Sequence, residues 1–171
     1  MEFSIKQKKG FPEKIGELAA MMEITRDLTL FEVAEFTEAE LDMIDDKGSN
    51  SIGALLMHIA AIEFVHQVIT FENRDLNEEE QKKWGAALEL GERGRKAYYG
   101  QPLDYYTDIL AEVRKNTLQQ MKKQQDSWLY EEGEWDNGIK HNNYYLWFHV
   151  IEDEISHRGQ IRMMRRLFDH A

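Results

Sequence analysis

Only two prolines, Pro12 and Pro102, interrupt a chain of 171 residues, and long segments between and after them carry apolar residues at a 3.6-residue spacing. Alternating β-branched patterns are nearly absent. Periodicity is the primary secondary-structure signal, and it predicts an all-α chain. Proline is preorganised for the first helical position, so a first helix begins at Pro12. Phe11, Ile15, Leu18, Met22, Thr25 and Thr29 form its stripe, and it ends near Val33. TEAELD, from Thr37, has N-cap and acidic first-turn chemistry and predicts one short helical turn. DDKGSN (45–50) reads as a loop whose end caps the next helix at Ser49 or Asn50. That second long helix runs from about Ser51 to Phe71. Asn77 to Gly100 contains glycines at 85, 91, 94 and 100, which predicts a short helix plus irregular chain. A third long helix starts at Pro102 and reaches about Gln124. SWLYEEGEWDNGIKHN (127–142) reads as an aromatic, acidic loop, and a fourth long helix spans about Asn143 to Phe168. Four long helices with one extended crossover predict a four-helix bundle, as one domain over residues 1–171.

Composition excludes several functions. With no cysteine, the chain has no disulfide, no thiolate nucleophile and no Cys-rich zinc site. No run of about 18 apolar residues is evident, so no membrane span is expected. The N-terminus, MEFSIKQKKGFPEK, lacks the apolar segment of a signal peptide, and a cytoplasmic protein is the expectation. A net charge of −11 repels phosphate backbones. Arg158, Arg162, Arg165 and Arg166 make the densest basic run, read as complements to the helix dipole and nearby carboxylates. No nucleic-acid partner is expected.

The apolar stripes contain three groups that are out of place. On a helical wheel centred on His58, Ala54, Leu55, Ala61, Ile62, Val65 and Ile69 fall within about 60°. His66 lies at the edge of that stripe. On a wheel centred on His157, Leu146, Val150, Ile161, Met164 and Phe168 fall within about 40°, and so does Asp153. Glu154 sits on the flank. An ionised carboxylate in an apolar core costs several kcal/mol unless a counter-charge or metal compensates it. Residues four apart are about 6 Å apart along a helix, so Asp153 and His157 can share one ion. His149, about 12 Å from His157, is assigned to the pocket wall or the outer surroundings of the ion. A third ligand must come from another helix, and His58 is the only histidine centred on an equally apolar stripe. The predicted metal site is therefore His58, Asp153 and His157. Three protein ligands leave positions open for water or substrate, and the donor set suits zinc, nickel, iron or manganese. The competing reading is a hydrogen-bonded core histidine beside an Asp–His salt bridge. His66, His141 and His170 read as surface histidines, and the Met21–Met22 and Met163–Met164 pairs as packing residues.

At these residues the sequence resembles the DinB/YfiT-like superfamily of metal-dependent enzymes. SIGALLMHIAAIE (51–63) is similar to the segment with that family's first metal histidine, which falls on His58. YYLWFHVIEDEISHRGQI (144–161) is similar to its final helix, where His-x-x-x-His is followed by Arg-Gly-Gln. The last histidine falls on His157. Asp153 stands where the family commonly has its middle histidine, which keeps a ligand but changes the site's charge. The resemblance implies a four-helix bundle, usually dimeric, with a metal, zinc or nickel foremost, at one end of the bundle. It also implies relatives that are S-transferases or isomerases using thiols such as bacillithiol or mycothiol.

Three functions follow from these readings. The first is transfer of a low-molecular-weight thiol to a small electrophile, with Tyr145 and Gln160 as candidates for positioning the thiol or substrate and Trp128, Tyr130 and Trp135 shaping a pocket. The second is metal-dependent hydrolysis, with Glu154 or His149 as the candidate base. The third is a non-catalytic dimeric bundle with a degenerate metal site. Phe148, Ile151 and Ile155 form a second apolar patch on the last helix, to be covered by a second subunit in a homodimer or by the crossover.

Overall fold

The computed structural model describes residues 3–45 and 48–168, the side chain of Phe168 excepted. Helix α1 (Glu13–Val33) starts one residue later than expected, with Pro12 as its N-cap, and ends at Val33 as expected. Helix α2 (Glu38–Asp42) is a single capped turn. The Thr37 side chain accepts from the Glu40 amide, and the Glu40 carboxylate accepts from the Thr37 amide at 2.7 Å. Helix α3 (Ile52–Glu72) is capped by Ser51, whose Oγ accepts from the Ala54 amide, rather than by Ser49 or Asn50. Those two are engaged elsewhere: Ser49 closes the loop onto Asp45, and Asn50 accepts from the Gly91 amide.

The crossover is more ordered than its glycines predict. It contains helix α4 (Glu78–Glu89), capped by Asn77 and Glu80, and helix α5 (Gly91–Ala97). The break between them falls at Leu90 and Gly91, both with positive φ (58° and 59°). Gly85 and Gly94 stay inside the helices. Helix α6 (Leu103–Met121) stops short of Gln124. The 127–142 segment is also structured. A 3-10 turn (Asp126–Tyr130) leads into an antiparallel hairpin of β1 (Glu132–Glu134) and β2 (Lys140–Asn142), with Gly133 opposite His141. The hairpin feeds directly into helix α7 (Asn143–Phe168).

Helix α3 packs on α6, α7 and α4, and α1 packs on α7. Every residue from Ser51 to Ala61 is buried. By length and composition α3 is apolar enough to cross a membrane, contrary to the expectation that no such segment exists. His58, Glu63 and His66 interrupt its apolar run in the sequence. Here it is the mostly buried central helix of the bundle.

Two apolar clusters fill the interior. One joins Leu41, Ile52, Leu56, Trp84, Tyr106 and Ile161; the other joins Phe11, Ile15, Met22, Trp128, Trp147 and Val150. Between them lies a layer of charge that the sequence reading missed. Each long helix contributes one member: Arg26 from α1, Glu63 from α3, Arg114 from α6 and Glu154 from α7, all buried. Arg26 donates to Glu154 Oε1 at 2.9 Å and to Glu63 Oε2 at 3.0 Å. Arg114 donates to Glu63 Oε1 at 2.8 Å and to Glu154 Oε2 at 3.4 Å. The four charges close a ring across the waist of the bundle. Backbone carbonyls of Leu110 and Met22 take further guanidinium N–H groups. Burial pushes the Glu63 carboxyl up, but Arg114 and Arg26 outweigh it and hold the group down at about 2. Burial likewise opposes the charge on Arg26, and Glu154 and Glu63 reverse that opposition.

Candidate metal centre

Beside this ring, along the seam of α3 and α7, His58, Asp153 and His157 come together. One possible ligand atom from each lies within 4.8 Å of the others. Asp153 Oδ1 is 3.3 Å from His157 Nε2 and 3.7 Å from His58 Nε2. Donor atoms on one tetrahedral ion with bonds of about 2.1 Å stand about 3.4 Å apart, so the spacing suits a shared cation. The two imidazoles meet edge to face with ring centroids 4.7 Å apart. At about 1.5 Å per residue, His58 lies about 9 Å in from the start of α3. The triad therefore lies level with the first third of α3.

Hydrogen bonding indicates what the triad can hold. His58 Nδ1 is 2.8 Å from the Ala87 carbonyl. A carbonyl only accepts, so Nδ1 carries the proton and, in the neutral ring, Nε2 presents a lone pair. That lone pair faces a carboxylate oxygen, an arrangement that calls for a proton or a metal between them. Metal-ligating histidines are commonly oriented in this way, by a carbonyl on the far nitrogen. Asp153 Oδ2 and His157 Nδ1 are buried without a hydrogen-bond partner. Burial pushes the Asp153 carboxyl up, but with a proton on the facing nitrogens His157 and His58 outweigh it and hold it well below the usual carboxylate range. Asp153 is thus an anionic donor. Two imidazoles, an ionised carboxylate and an orphaned carboxylate oxygen fit a divalent ion.

Other residues singled out in the sequence fall elsewhere. Glu154 is not on an exposed flank: it is 1% exposed, and both its oxygens are held by arginines. The wheel placed it at the edge of one stripe, but α1 covers that edge. It is therefore not free to act as a base. Arg158 is also buried and donates to the Thr25 carbonyl, so it is not a surface complement to the helix dipole. His66 is buried rather than on the surface, with Nδ1 2.7 Å from the Ile62 carbonyl. Burial pushes its pKa down to about 4, so it is neutral at pH 7. His149 is half-exposed and sits against His66, with centroids 5.7 Å apart. Tyr145 stacks on His149 and meets Trp135 edge on, about 18 Å along α7 from His157. Gln160 is exposed. Trp128 is a packing residue, stacked on Phe71 and donating to the Thr70 carbonyl, and Tyr130 pairs with Lys14. Trp135 and His141 line a 570 Å³ cavity between the hairpin and the end of α3. His141 is half-buried against Trp135, and His170 lies outside the described residues. Met22 and Met164 are buried, whereas Met163 is exposed. On the back of α7, Ile151 is buried but Phe148 and Ile155 are exposed, so the crossover does not cover them.

The all-α bundle and its cross-helix histidine–carboxylate cluster are consistent with the DinB/YfiT-like class. The profile described as Mycothiol-S-transferase matches residues 17–170, and the chain belongs to that family. Solved structures share the fold at low identity. A conserved protein from Enterococcus faecalis superposes with a TM-score of 0.70 at 17% identity, covering 90% of this chain and 96% of that one. A protein from Streptococcus pneumoniae gives 0.67 at 17% identity, covering 89% and 90%. An uncharacterised protein from Clostridium difficile gives 0.70 at 14%, covering 89% and 95%. No curated protein gives a significant match.

Proposed function

We propose that the protein transfers a low-molecular-weight thiol of the mycothiol or bacillithiol type to a small electrophile, at a divalent metal held by His58, Asp153 and His157. The observation that carries this reading is the convergence of the three donors at 3.3 and 3.7 Å around Asp153 Oδ1, with Asp153 Oδ2 left unpartnered. Family membership supports the choice of thiol chemistry. The chain has no cysteine, so the nucleophilic sulfur arrives with the cosubstrate. A zinc or nickel ion in the triad would supply the positive charge that lowers the thiol pKa. The Ala87 carbonyl fixes the His58 tautomer, and the Asp153 charge offsets part of the cation's. In the reaction the S–H proton leaves to solvent, a sulfur–carbon bond forms, and the electrophile's leaving group departs with its electron pair.

Hydrolysis is the weaker reading, because Glu154 is locked between two arginines and His149 is about 12 Å along α7 from His157. We include self-association through the exposed Phe148 and Ile155 in the proposal. The test is elemental analysis of tag-free protein beside His58→Ala and Asp153→Ala, followed by turnover of a model electrophile with and without added thiol. Near-stoichiometric metal, lost in both variants, and thiol-dependent product are expected. A parent that stays empty after incubation with zinc, nickel, manganese and ferrous iron would overturn the metal site. Thiol-independent product would overturn the transferase.

A further inference from the structure

The seam between α3 and α7 carries the histidine pairing twice. Eight residues along α3 from His58 stands His66, and eight residues back along α7 from His157 stands His149. The helices run antiparallel, so the same register that brings His58 onto His157 at 4.7 Å brings His66 onto His149 at 5.7 Å. Two imidazoles bound to one ion, with metal–nitrogen bonds of about 2.1 Å, have ring centroids about 5–6 Å apart. The outer pair has that ring spacing.

Its hydrogen bonding also repeats the inner pattern. The Ile62 carbonyl accepts from His66 Nδ1 at 2.7 Å, as the Ala87 carbonyl does from His58. That leaves Nε2 as the open nitrogen of a neutral ring. On the other side His149 Nδ1 is 3.4 Å from Glu152 Oε2, and a carboxylate in that position orients a ligating imidazole. Tyr145 stacks on the His149 ring at a mutual tilt of 8°, which restrains it further. His66 is 6% exposed, whereas the His149 side chain is 40% exposed. One ligand is fixed in the interior and the other is open to solvent. Asp153 lies between the two pairs along α7, near enough for its charge to act on His66.

We propose that His66 and His149 form a second cation site, which takes one divalent ion of the zinc, nickel and copper group through two imidazoles, with water filling the remaining positions. Imidazole donors without a protein carboxylate in direct contact suit these metals over magnesium or calcium. The site lies about 12 Å along the seam from the triad, too far for the two ions to act on one bond. With one solvent-facing ligand it is placed to capture an ion outside the buried triad. The inference stands whether or not the triad is catalytic.

The test is titration of metal-free, full-length protein with zinc and separately with nickel, read by calorimetry and by elemental analysis after desalting. His149→Ala is the main variant, because His149 is half-exposed and its loss leaves the core intact; Asp153→Ala disables the inner site. The expected stoichiometry is two ions in the parent, one in each single variant and none in the double variant. If the triad binds nothing, the parent takes one ion, and His149→Ala takes none. Unchanged stoichiometry in His149→Ala overturns the second site, as does an Asp153→Ala protein that binds no ion.

Discussion

Replacing Glu63 by Gln tests the ring of charges at the waist of the bundle. The glutamate accepts from Arg114 at 2.8 and 3.0 Å, from Arg26 at 3.0 Å and from the Thr117 hydroxyl at 2.7 Å. An amide of the same shape keeps the volume but removes the charge, leaving two buried guanidinium groups to share Glu154. Removing one partner of a buried ion pair typically costs about 3–5 kcal/mol. The pKa leads to a similar figure: a fall from 4.5 to about 2 corresponds to about 3 kcal/mol at 1.36 kcal/mol per unit. Because the folded-state value is depressed, this stability is fully present above the unfolded value near 4.5. It is lost as pH falls from there towards 2. Urea unfolding followed by circular dichroism at pH 7 is therefore expected to show Glu63→Gln less stable by about 3–5 kcal/mol. The gap should narrow by about 3 kcal/mol when the measurement is repeated between pH 4.5 and 2. Adding Arg114→Met to Glu63→Gln removes the surplus cation and is expected to recover part of the loss. A single variant within about 0.5 kcal/mol of the parent, the range of an ordinary surface change, would refute the reasoning. So would a gap that does not change with pH.

Three other outcomes are expected. Gly53 faces the Tyr106 ring, and a methyl there would lie 2.7 Å from Tyr106 Cζ; because the buried Tyr106 hydroxyl is anchored to the Tyr98 carbonyl, Gly53→Ala should cost about 1–3 kcal/mol and lower the thermal midpoint. An unchanged midpoint would mean that the tyrosine yields freely. His66 is held neutral with its pKa lowered from 6.5 to about 4, so stability present above 6.5 should decline as pH falls towards 4. His66→Gln should flatten that part of the pH profile, and a parallel decline in the variant would assign it to other groups. For the proposed homodimer, Phe148→Glu with Ile155→Glu should shift the mass in light scattering from dimer to monomer, while a monomeric parent would remove self-association from the proposal.

The long helices and the triad were legible because each rests on a local rule. Pro12, Thr37 and the apolar spacing of α1, α3 and α7 act within a few residues, and the wheel placed His58, Asp153 and His157 on core-facing stripes. What was not legible depends on packing from a second side. The wheel assumed one buried face per helix, so His66 and Glu154 at stripe edges read as peripheral. In the fold α3 is enclosed by α4, α6 and α7, and α1 covers the Glu154 side of α7. Arg26 and Arg114 went unremarked for a related reason. Each sits on the spacing of its own core stripe, four residues after Met22 and Leu110, and only the partner helices explain a charge there. The crossover misled because glycine was counted as a breaker, whereas Gly94 packs against Ala54 and the Ala86 carbonyl inside a helix. The hairpin strands of three residues are too short for an alternating pattern. Their one signal was the Asp136-Asn137-Gly138 turn, with Gly138 at φ +80°.

The ring also bears on the charge that Asp153 brings to the triad. Glu154 follows Asp153 directly and Glu63 lies little more than one turn beyond His58, so the ring sets the relative height of the two helices that hold the ligands. Two arginines and two glutamates leave the ring itself neutral. A divalent ion held by three imidazoles would bring its full double charge into this half-buried seam, with Arg158 buried on the same helix and forming no ion pair among the described residues. Asp153 would cancel one of those charges at a bound ion. A carboxylate there would lower the cost of holding an ion in the seam, and it would strengthen binding of a cation at the expense of Lewis acidity. Under the proposed thiol transfer, an aspartate at this position would trade activation of the thiol for retention of the metal. It makes metal content, measured before turnover, the observation that best separates a working centre from a degenerate one.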